Sequence, residues 1–403
     1  MLDFGNYNKM TKKAGIYDPY LDTLGGGERY CLTVAEILQK NGYDVDIFWS
    51  GDNKILKKAQ DRFSLNLKNV NLVPDIFEIA PHEIELIDDN KFLYNLIKKS
   101  NPSLKIKNKL QKLFQKFNIT RKYDLIFFLS DGSNPFLFSK KNILHIQVPF
   151  VSNYTESNPL KSFLKSHFFS NIICNSKFTS KFVKKSFHKH IDILYPPVDI
   201  AKFSSDNKKE NIILSVGRFD NILNAKKQDC LIDAFSRLIK KNHLTGWKLV
   251  FVGGSLQEAS HNAYLQLLIN KSHGLPIEFI VNPSFNDLQK IYSISKIYWH
   301  AAGFEVNENV HPEQTEHFGM TIVEAMASGL VPIGIKKGGI PEIINDTIDG
   351  FLWKTIRGLS IKTLRLIKNP KLLEKMSQNS LEKSKQFSKE HFEENFIKIL
   401  KLS

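Results

Sequence analysis

Two glutamates frame a short glycine turn in the second half of the chain. Glu316 comes before the turn, and Glu324 follows about one turn inside the helix that residues 321–328 predict. Gly319 lets the backbone approach a ligand closely, and a helix start offers unpaired N–H groups and partial positive charge that suit a phosphate. A carboxylate one turn further on can accept two hydroxyl hydrogen bonds, as a ribose would provide. The same spacing is also found in an ordinary helix with an exposed acidic first turn.

Cationic residues follow a strand that is predicted earlier in the chain. Arg218 comes directly after the strand that ends at Gly217, and Lys226 and Lys227 open the next helix. Cations that converge at the carboxyl end of a strand can neutralise a diphosphate, with Arg as a fork of donors and Lys as a point charge. Each cation alone is an ordinary solvated surface charge. Together with the glutamate pair, they favour an anion-binding site.

Alternating strands and helices must position these residues. The segment 1–197 predicts a strand, the glycine loop "LGGGER", a helix closed by Gly42 and further strands. Pro196 and Pro197 interrupt regular structure and predict a linker, after which the same alternation restarts. The sequence therefore predicts an α/β protein with two Rossmann-like βα-repeat domains. Two such domains that face each other form a central cleft, and ligands bind at the carboxyl ends of their strands.

Composition limits the class of protein and its compartment. The chain of 403 residues is 42% hydrophobic and 24% charged, which is ordinary for a globular protein. Its formal net charge of +15 favours anionic partners, although an AT-rich genome would produce the same excess of Lys, Asn and Ile. Its three scattered cysteines are typical of a reducing compartment and argue against a cysteine metal site. Without a signal-peptide core or a long apolar run, we expect a cytoplasmic protein, soluble or peripheral on the cytoplasmic membrane face.

The motifs in combination resemble a known family. "EHFGMTIVEAMASG", preceded by "VGRF…KKQ" and followed by "KKGGIPEIINDTIDGFL", is similar to the retaining glycosyltransferases of family four, which have the GT-B fold. "LGGGER" resembles the branch that includes the dolichol-linked oligosaccharide mannosyltransferases. The resemblance covers nearly the whole chain. It implies an acceptor-side domain in 1–197, a nucleotide-sugar-binding domain in 198–384, and a helix in 385–403 that crosses back to the first domain.

The resemblance also implies a reaction and its site residues. A hexose of the mannose or glucose type would pass from a GDP- or UDP-sugar to a glycan or lipid-linked acceptor with retention of configuration, without a cofactor or metal. Arg218 and Lys226 would bind the donor diphosphate, Glu324 would hold the ribose, and Glu316 would lie beside the reacting sugar. The backbone groups implied are Phe318, Gly319 and Met320 at the sugar and phosphate, and Gly25, Gly26 and Gly27 over the diphosphate.

The chain departs from the family pattern at two places. The family often has a histidine in the segment "ILHIQVPFVSN", and alignment on Pro149 places that position at Gln147 instead of His145. Both side chains lie on one strand face and both are candidate catalytic residues, although His145 is equally well explained as a core histidine. The second departure is the polar insert 303–315, a candidate lid or acceptor loop. His300, at the end of a predicted strand, could touch phosphate.

A basic segment suggests a further partner. Residues 91–122 contain ten Lys or Arg and no acidic residue. Their apolar residues recur at helical spacing, which predicts an amphipathic helix that binds an anionic membrane surface. A helix whose stripe packs on its own domain has the same pattern. The stripe consists of Ile106, Leu110, Leu113, Phe114 and Phe117.

Two other classes of protein remain open at this point. One is a nucleotide-sugar-binding protein without turnover, and the other is a nucleic-acid-binding protein driven by charge. No base-reading module is visible and the charge is spread over both halves, so no nucleic-acid partner is expected. A nicotinamide-dependent dehydrogenase is disfavoured, because "GGGER" lacks the GxGxxG spacing and no acidic residue clearly ends the second strand.

Overall fold

A computed structural model of the protein describes residues 12–77, 113–149, 166–184, 187, 189–205, 207–220, 225–255 and 262–402. In these residues the N-terminal domain is built on a parallel sheet of order β3-β2-β1-β4-β5-β6-β7. Its strands are β1 (Lys12–Tyr17), β2 (Tyr43–Phe48), β3 (Val70–Val73), β4 (Leu125–Ser130), β5 (Lys141–Ile146), β6 (Asn171–Cys174) and β7 (Ile191–Ile193). Its helices are α1 (Gly26–Lys40), α2 (Ile55–Phe63) and α3 (Lys177–Val183), and residues 113–120 are also helical.

A second parallel sheet forms the C-terminal domain, with the order β10-β9-β8-β11-β12-β13 in the described chain. Its strands are β8 (Ile212–Val216), β9 (Lys248–Gly253), β10 (Ile277–Val281), β11 (Ile297–His300), β12 (Val331–Ile335) and β13 (Phe351–Trp353). Its helices are α4 (Gln228–Asn242), α5 (Ala263–Lys271), α6 (Phe285–Ile294), α7 (Met320–Ala327), α8 (Ile340–Ile343), α9 (Ile356–Ile367) and α10 (Pro370–Ser384); a last helix, α11 (Lys389–Leu400), follows.

The central strands are apolar on both faces because each sheet is covered on both sides. In β4 every residue is buried. Phe127 enters the core on one side of the N-terminal sheet and Phe128 the core on the other. This continuous apolar pattern is typical of parallel strands. The two Rossmann-like βα domains predicted from the sequence are therefore confirmed.

Helix α11 ends the chain against the N-terminal domain. Phe392, Phe396 and Leu400 are buried in the same core as the residues of α1 and β4. The Lys141 ammonium donates a hydrogen bond to the carbonyl oxygen of Leu400 at 2.9 Å. The chain thus passes between the domains twice, and the two passages meet where Val198 N–H donates to the carbonyl of Phe387 at 3.0 Å.

Most of the basic segment 91–122 lies outside the described residues. In its helical part, residues 113–120, the apolar stripe is open to solvent. Leu113 is 38%, Phe114 66% and Phe117 36% exposed. No described helix combines the length and the apolar character that crossing a bilayer requires.

The packing of α11 predicts a large stability effect. Phe396→Ala should lower the free energy of unfolding by about 3–5 kcal/mol, because it empties a fully buried site between α11 and the N-terminal core. Urea denaturation measures the change. The control is Phe114→Ala, the same substitution at an exposed ring, which should cost less than about 1 kcal/mol. Equal effects of the two substitutions would contradict the assigned packing.

Candidate functional site

Glu316 is held at the carboxyl edge of the C-terminal sheet by two cationic or polar partners. Its Oε2 atom accepts a hydrogen bond from Lys226 Nζ at 2.7 Å and lies 3.0 Å from His300 Nε2. Lys226 comes from the loop between β8 and α4, and His300 is the last residue of β11. Both partners use the same oxygen. Among the described residues, none donates a hydrogen bond to Oε1, so this oxygen remains available to a ligand.

The surroundings keep Glu316 ionised. Burial acts to raise the pKa of Glu316, but the charge of Lys226 and the hydrogen bond from His300 outweigh it and hold the pKa well below its usual range. An ionised Glu316 requires His300 to donate from Nε2. His300 Nδ1 is buried without a hydrogen-bond partner in the described part of the chain.

A pair of glycines positions the turn that carries Glu316. A Cβ atom at Gly338 would lie 2.2 Å from the carbonyl oxygen of Glu316, and one at Gly339 would lie 2.3 Å from that of His317. Gly339 N–H also donates to the Glu316 carbonyl at 2.8 Å. Only residues without side chains allow the loop after β12 to pack so closely on this turn.

Glu324 is the second carboxylate, one turn into α7. Its Oε2 atom accepts a hydrogen bond from the Tyr292 hydroxyl at 3.2 Å, and its Oε1 atom lies 3.6 Å from Arg29 Nη1. Burial raises the pKa of Glu324, against the opposing effects of the Arg29 charge and the Tyr292 hydroxyl. Neither Arg29 nor Tyr292 was expected from the sequence. Arg29 directly follows "GGGE", which was a usable signal, whereas Tyr292 lies in an unremarkable helix.

The start of α7 has the backbone geometry expected of a ligand-binding turn. Gly319 has a φ angle of +113°, in the region that favours glycine, and a Cβ there would meet Ile340 Cδ1 at 3.1 Å. Phe318 is buried and its ring stacks on Tyr195 at 5.4 Å between centroids. Met320 is the first residue of the helix. The three predicted backbone positions therefore lie between the two carboxylates.

The predicted diphosphate residues are placed differently from each other. Lys226 lies beside Glu316, as described above. The Arg218 side chain is 62% exposed and forms an ion pair with Asp220 at 3.3 Å. Lys226 thus contacts Glu316, whereas the Arg218 side chain lies in an exposed position after β8. Their roles toward a diphosphate stay predictions.

Gly25, Gly26 and Gly27 lie on the N-terminal side of the cleft. The Gly25 N–H donates to the Glu28 carboxylate at 2.5 Å, which caps the start of α1. A Cβ at Gly26 would come within 2.9 Å of Met320 Sδ, and one at Gly27 within 2.6 Å of Gln147 Oε1. The glycine loop therefore touches the C-terminal domain and Gln147 at once.

Gln147, and not His145, contacts the glycine loop. The His145 ring is fully buried, stacks on Tyr30 with centroids 4.0 Å apart, and donates from Nδ1 to the Ile173 carbonyl at 3.2 Å. Its Nε2 atom faces the Gln147 amide nitrogen at 3.1 Å. Burial lowers the pKa of His145 to about 3, so the ring is neutral and accepts this hydrogen bond. A catalytic role for either residue stays a prediction.

The insert 303–315 packs on the glycine pair. The Glu308 carboxylate accepts a hydrogen bond from Gly338 N–H at 2.9 Å, and the Lys337 ammonium donates to the Val306 carbonyl. Together with the ends of β12 and β13, the insert lines a cavity of about 320 Å³. The insert therefore supports the loop behind Glu316, and its predicted role as a lid or acceptor loop stays open.

Comparison with known proteins defines the class of this chain. Residues 24–202 match the family described as Glycosyltransferase Family 4, and residues 199–383 match the family described as Glycosyl transferases group 1. The two matches together cover residues 24–383, so the chain belongs to the glycosyltransferases that these two descriptions define.

Two relatives illustrate the range of the similarity. The chain is 27% identical over 234 residues to the GDP-Man:Man(3)GlcNAc(2)-PP-Dol alpha-1,2-mannosyltransferase of Dictyostelium discoideum, covering 54% of this chain and 43% of that protein. It is 26% identical over 411 residues to an uncharacterized glycosyltransferase of Haemophilus influenzae, covering 96% of this chain and 100% of that protein. The chain thus spans less than half the length of the mannosyltransferase.

Solved structures show the same architecture over almost the whole chain. HepE of Anabaena, crystallised in complex with UDP and glucose, superposes with a TM-score of 0.64 at 15% identity and covers 97% of this chain and 99% of its own. A glycosyltransferase of Rickettsia africae superposes with a TM-score of 0.66 at 18% identity, covering 97% and 98%. The predicted GT-B fold is therefore confirmed.

The opposite electrostatics of the two carboxylates predict opposite effects on stability. The pKa of Glu316 is lowered by folding, so its ionisation stabilises the fold above the unfolded pKa, and this contribution is lost as pH falls toward the folded pKa. The pKa of Glu324 is raised by folding, so stability is lost as pH rises above the unfolded pKa, and the loss is complete above the folded pKa. At neutral pH, Glu316→Gln should therefore be destabilising and Glu324→Gln stabilising, by on the order of 1 kcal/mol per unit of pKa difference.

Urea denaturation at about pH 7 and about pH 4 tests both signs, and both differences from the unmodified protein should shrink at the lower pH. The control is Glu394→Gln, at a side chain that is 77% exposed, which should change stability little at either pH. Effects of the same sign for the two buried glutamates at neutral pH would contradict the assigned environments.

Proposed function

We propose that this chain transfers a hexose of the mannose or glucose type from a GDP- or UDP-sugar to a glycan or lipid-linked acceptor, with retention of configuration. One observation carries the proposal. Glu316 is anchored through one oxygen by Lys226 and His300 and leaves the other without a partner in the described chain, directly before the helix that bears Glu324. The name of the Dictyostelium relative includes GDP-Man and PP-Dol, which supports a sugar nucleotide and a lipid-linked acceptor.

Each part of the donor, from the ribose through the diphosphate to the sugar, has a group in this site that suits it. Glu324 accepts the ribose hydroxyls, and the start of α7 faces the diphosphate with its N–H groups and partial positive charge. Lys226 and Arg218 supply positive charge on the other side of the diphosphate. Glu316 Oε1 contacts the transferred sugar. Because Lys226 already bonds Glu316 at 2.7 Å, a phosphate beside it links the leaving group to the sugar-binding carboxylate.

The reaction breaks the bond between the anomeric carbon and the diphosphate oxygen and forms a bond to the acceptor oxygen. Negative charge grows on the leaving diphosphate, where the cations and amide dipoles stabilise it. The acceptor attacks from the face that the diphosphate leaves, which retains the configuration. The acceptor hydroxyl gives its proton to the departing phosphate oxygen. The fixed positive groups perform the charge stabilisation that a metal ion supplies in other enzymes, so the reaction requires no metal.

The N-terminal side of the cleft contributes Gln147 and the glycine loop. Gln147 Oε1 lies over Gly27, where a side chain would be in the way, and is oriented by the buried His145 ring behind it. In this arrangement Gln147 contacts the sugar or the acceptor. His145 acts through Gln147.

A lipid-linked acceptor would require an approach to the membrane, and the N-terminal domain offers a surface for it. The exposed rings of Phe114, Phe117 and Phe168 and the half-buried ring of Phe138 adjoin each other along this surface. The centroid separations are 6.5 Å between Phe114 and Phe117, 5.0 Å between Phe117 and Phe138, and 6.4 Å between Phe138 and Phe168. Phe114 and Phe117 belong to the same sequence stretch as the ten cations of residues 91–122. Aromatic rings next to Lys and Arg suit an anionic bilayer interface.

The reaction is tested by the release of nucleoside diphosphate. Purified protein with candidate UDP- and GDP-sugars and an acceptor should release UDP or GDP in the presence of EDTA, and the product should keep the anomeric configuration of the donor by NMR. Glu316→Gln should lower turnover by about 100-fold with a smaller effect on donor binding. Glu324→Gln should chiefly weaken donor binding, by about 1.5–3 kcal/mol for a charged hydrogen bond.

Each alternative has its own outcome in this assay. Donor binding without release of diphosphate, over a range of acceptors, would indicate a binding protein without turnover. Complete loss with EDTA that Mg²⁺ or Mn²⁺ restores would contradict the metal-free reaction, and an inverted product would contradict retention. Equal, small effects of both glutamate substitutions would exclude this site.

Membrane docking is tested by co-sedimentation with vesicles. The protein should bind anionic vesicles at low salt and neutral vesicles weakly, because each Lys near an anionic surface contributes about 1 kcal/mol, and the attraction fades over about 8 Å at physiological salt. Changing Lys105, Lys107, Lys109 and Lys112 to Gln should release it while donor binding stays unchanged.

The matched control removes four exposed lysines elsewhere, at positions Lys240, Lys241, Lys371 and Lys375. If the two quadruple variants bind vesicles alike, general charge and not residues 91–122 is responsible. An unmodified protein that ignores anionic vesicles at low salt would leave a soluble glycan as the acceptor.

A further inference from the structure

The carboxylate proposed to bind the ribose has its charged partner in the other domain. Arg29 belongs to α1 of the N-terminal domain, and Glu324 belongs to α7 of the C-terminal domain. Arg29 Nη1 lies 3.6 Å from Glu324 Oε1, and only 15% and 13% of the two side chains are exposed. The ion pair therefore crosses the cleft in a largely desolvated place, where charges interact more strongly than at an open surface.

The two helices are arranged so that Arg29 can reach this position. A Cβ at Gly26 would lie 2.9 Å from Met320 Sδ, so the start of α1 packs directly on the start of α7. Residues one turn further along each helix lie on the same face. One turn after Gly26 comes Arg29, and one turn after Met320 comes Glu324. Gly26 lets the two helix starts approach closely enough for Arg29 to lie beside Glu324.

The distance of 3.6 Å has a chemical consequence. It exceeds the range of an N–H···O hydrogen bond, so Arg29 acts on Glu324 by charge and leaves the lone pairs of Oε1 open. A carboxylate oxygen can accept two hydrogen bonds. A ribose hydroxyl can therefore bond Oε1 without displacing Arg29, while Tyr292 holds Oε2.

We propose that Arg29 is a positioning residue that orients the Glu324 carboxylate for the ribose hydroxyls of the donor, so that the ribose site is complete only when the two domains are closed. This inference rests on the proposed function, because it takes Glu324 as the ribose ligand. It adds that an N-terminal residue contributes to nucleotide affinity through a C-terminal carboxylate.

The ionisation of Glu324 supports this role. Burial raises the pKa of Glu324, and the Arg29 charge is the largest of the effects that oppose the rise. The other titratable groups that face Glu324 from the described elements are the hydroxyls of Tyr292 on α6 and Tyr298 on β11. Both tyrosines stay neutral because burial raises their pKa values above the ordinary one. Arg29 is thus the one facing cation among the described residues.

The experiment measures the affinity of UDP and GDP, and of their 2′,3′-dideoxy counterparts, by calorimetry. Arg29→Met should weaken the binding of the better ribonucleotide by about tenfold, and Arg29→Lys by less, because the charge is kept. The dideoxy probe should lose less than about twofold, since it offers no hydroxyl to Glu324. In a Glu324→Gln background, Arg29→Met should change the affinity for the ribonucleotide little further.

A pH series separates positioning from a general structural role. Without Arg29, protonation of Glu324 should begin at higher pH, so the affinity of Arg29→Met for the ribonucleotide should fall by at least about threefold more than that of the unmodified protein between about pH 7.5 and about pH 5.5. The matched control is Arg62→Met, at an exposed arginine on α2, which should leave affinity and its pH dependence unchanged.

The outcomes distinguish this inference from the proposed function. If the unmodified protein binds neither UDP nor GDP, the proposed function is overturned and the inference with it. If it binds normally and Arg29→Met matches it in affinity and pH dependence, only the inference is overturned. Equal losses of the ribose and dideoxy probes would assign Arg29 to the phosphates and also overturn it.

Discussion

The charge of Glu316 is the constraint around which the site is arranged. A carboxylate that is largely removed from water costs several kcal/mol unless it is paired and hydrogen-bonded. Lys226 and His300 meet this need from two different strand ends, and they converge on one oxygen. The glycine pair after β12 then fixes the backbone of the same turn. The positions of three strand ends are therefore linked through one carboxylate, and its second oxygen is left for a ligand.

Carboxylates of the C-terminal domain also join the two domains. Glu342 of α8 accepts hydrogen bonds from the backbone N–H groups of Lys177 at 2.8 Å and Phe178 at 2.7 Å, and so caps α3 of the N-terminal domain. A carboxylate at a helix start is favoured by the unpaired N–H groups and the helix dipole. Glu324 and Arg29 form a second link at the glycine loop. The two domains are thus joined by charge and by helix capping, in addition to the contact between Gly26 and Met320.

Features that depend on short stretches of chain could be predicted from the sequence. Apolar strands that alternate with amphipathic helices indicated two parallel sheets, because that pattern is determined locally. The spacing of Glu316 and Glu324 around Gly319 indicated their positions on either side of a helix start for the same reason. The short strands β3, β7 and β13 were missed, since three or four residues carry little periodicity.

Features that depend on contacts between distant parts of the chain could not be predicted. Arg29 and Tyr292 reach Glu324 only because three elements from two domains meet there. For His145 and Gln147, strand alternation indicated a shared face, but it could not show where the strand ends. β5 stops at Ile146, so His145 lies beneath the sheet edge and Gln147 lies beyond it.

The two sides of the cleft therefore differ in what determines them. The side that carries Glu316, which we propose to bind the donor, is fixed within one domain, by strand ends and a helix start that are adjacent in the C-terminal domain. The ion pair of Arg29 with Glu324 exists only when the domains meet, because Glu324 lies across the cleft from Arg29. A nucleotide that bonds Glu324 would strengthen the same contact surface that Gly26 and Met320 already form. Donor binding and domain closure would then favour each other, since each supplies groups that the other requires.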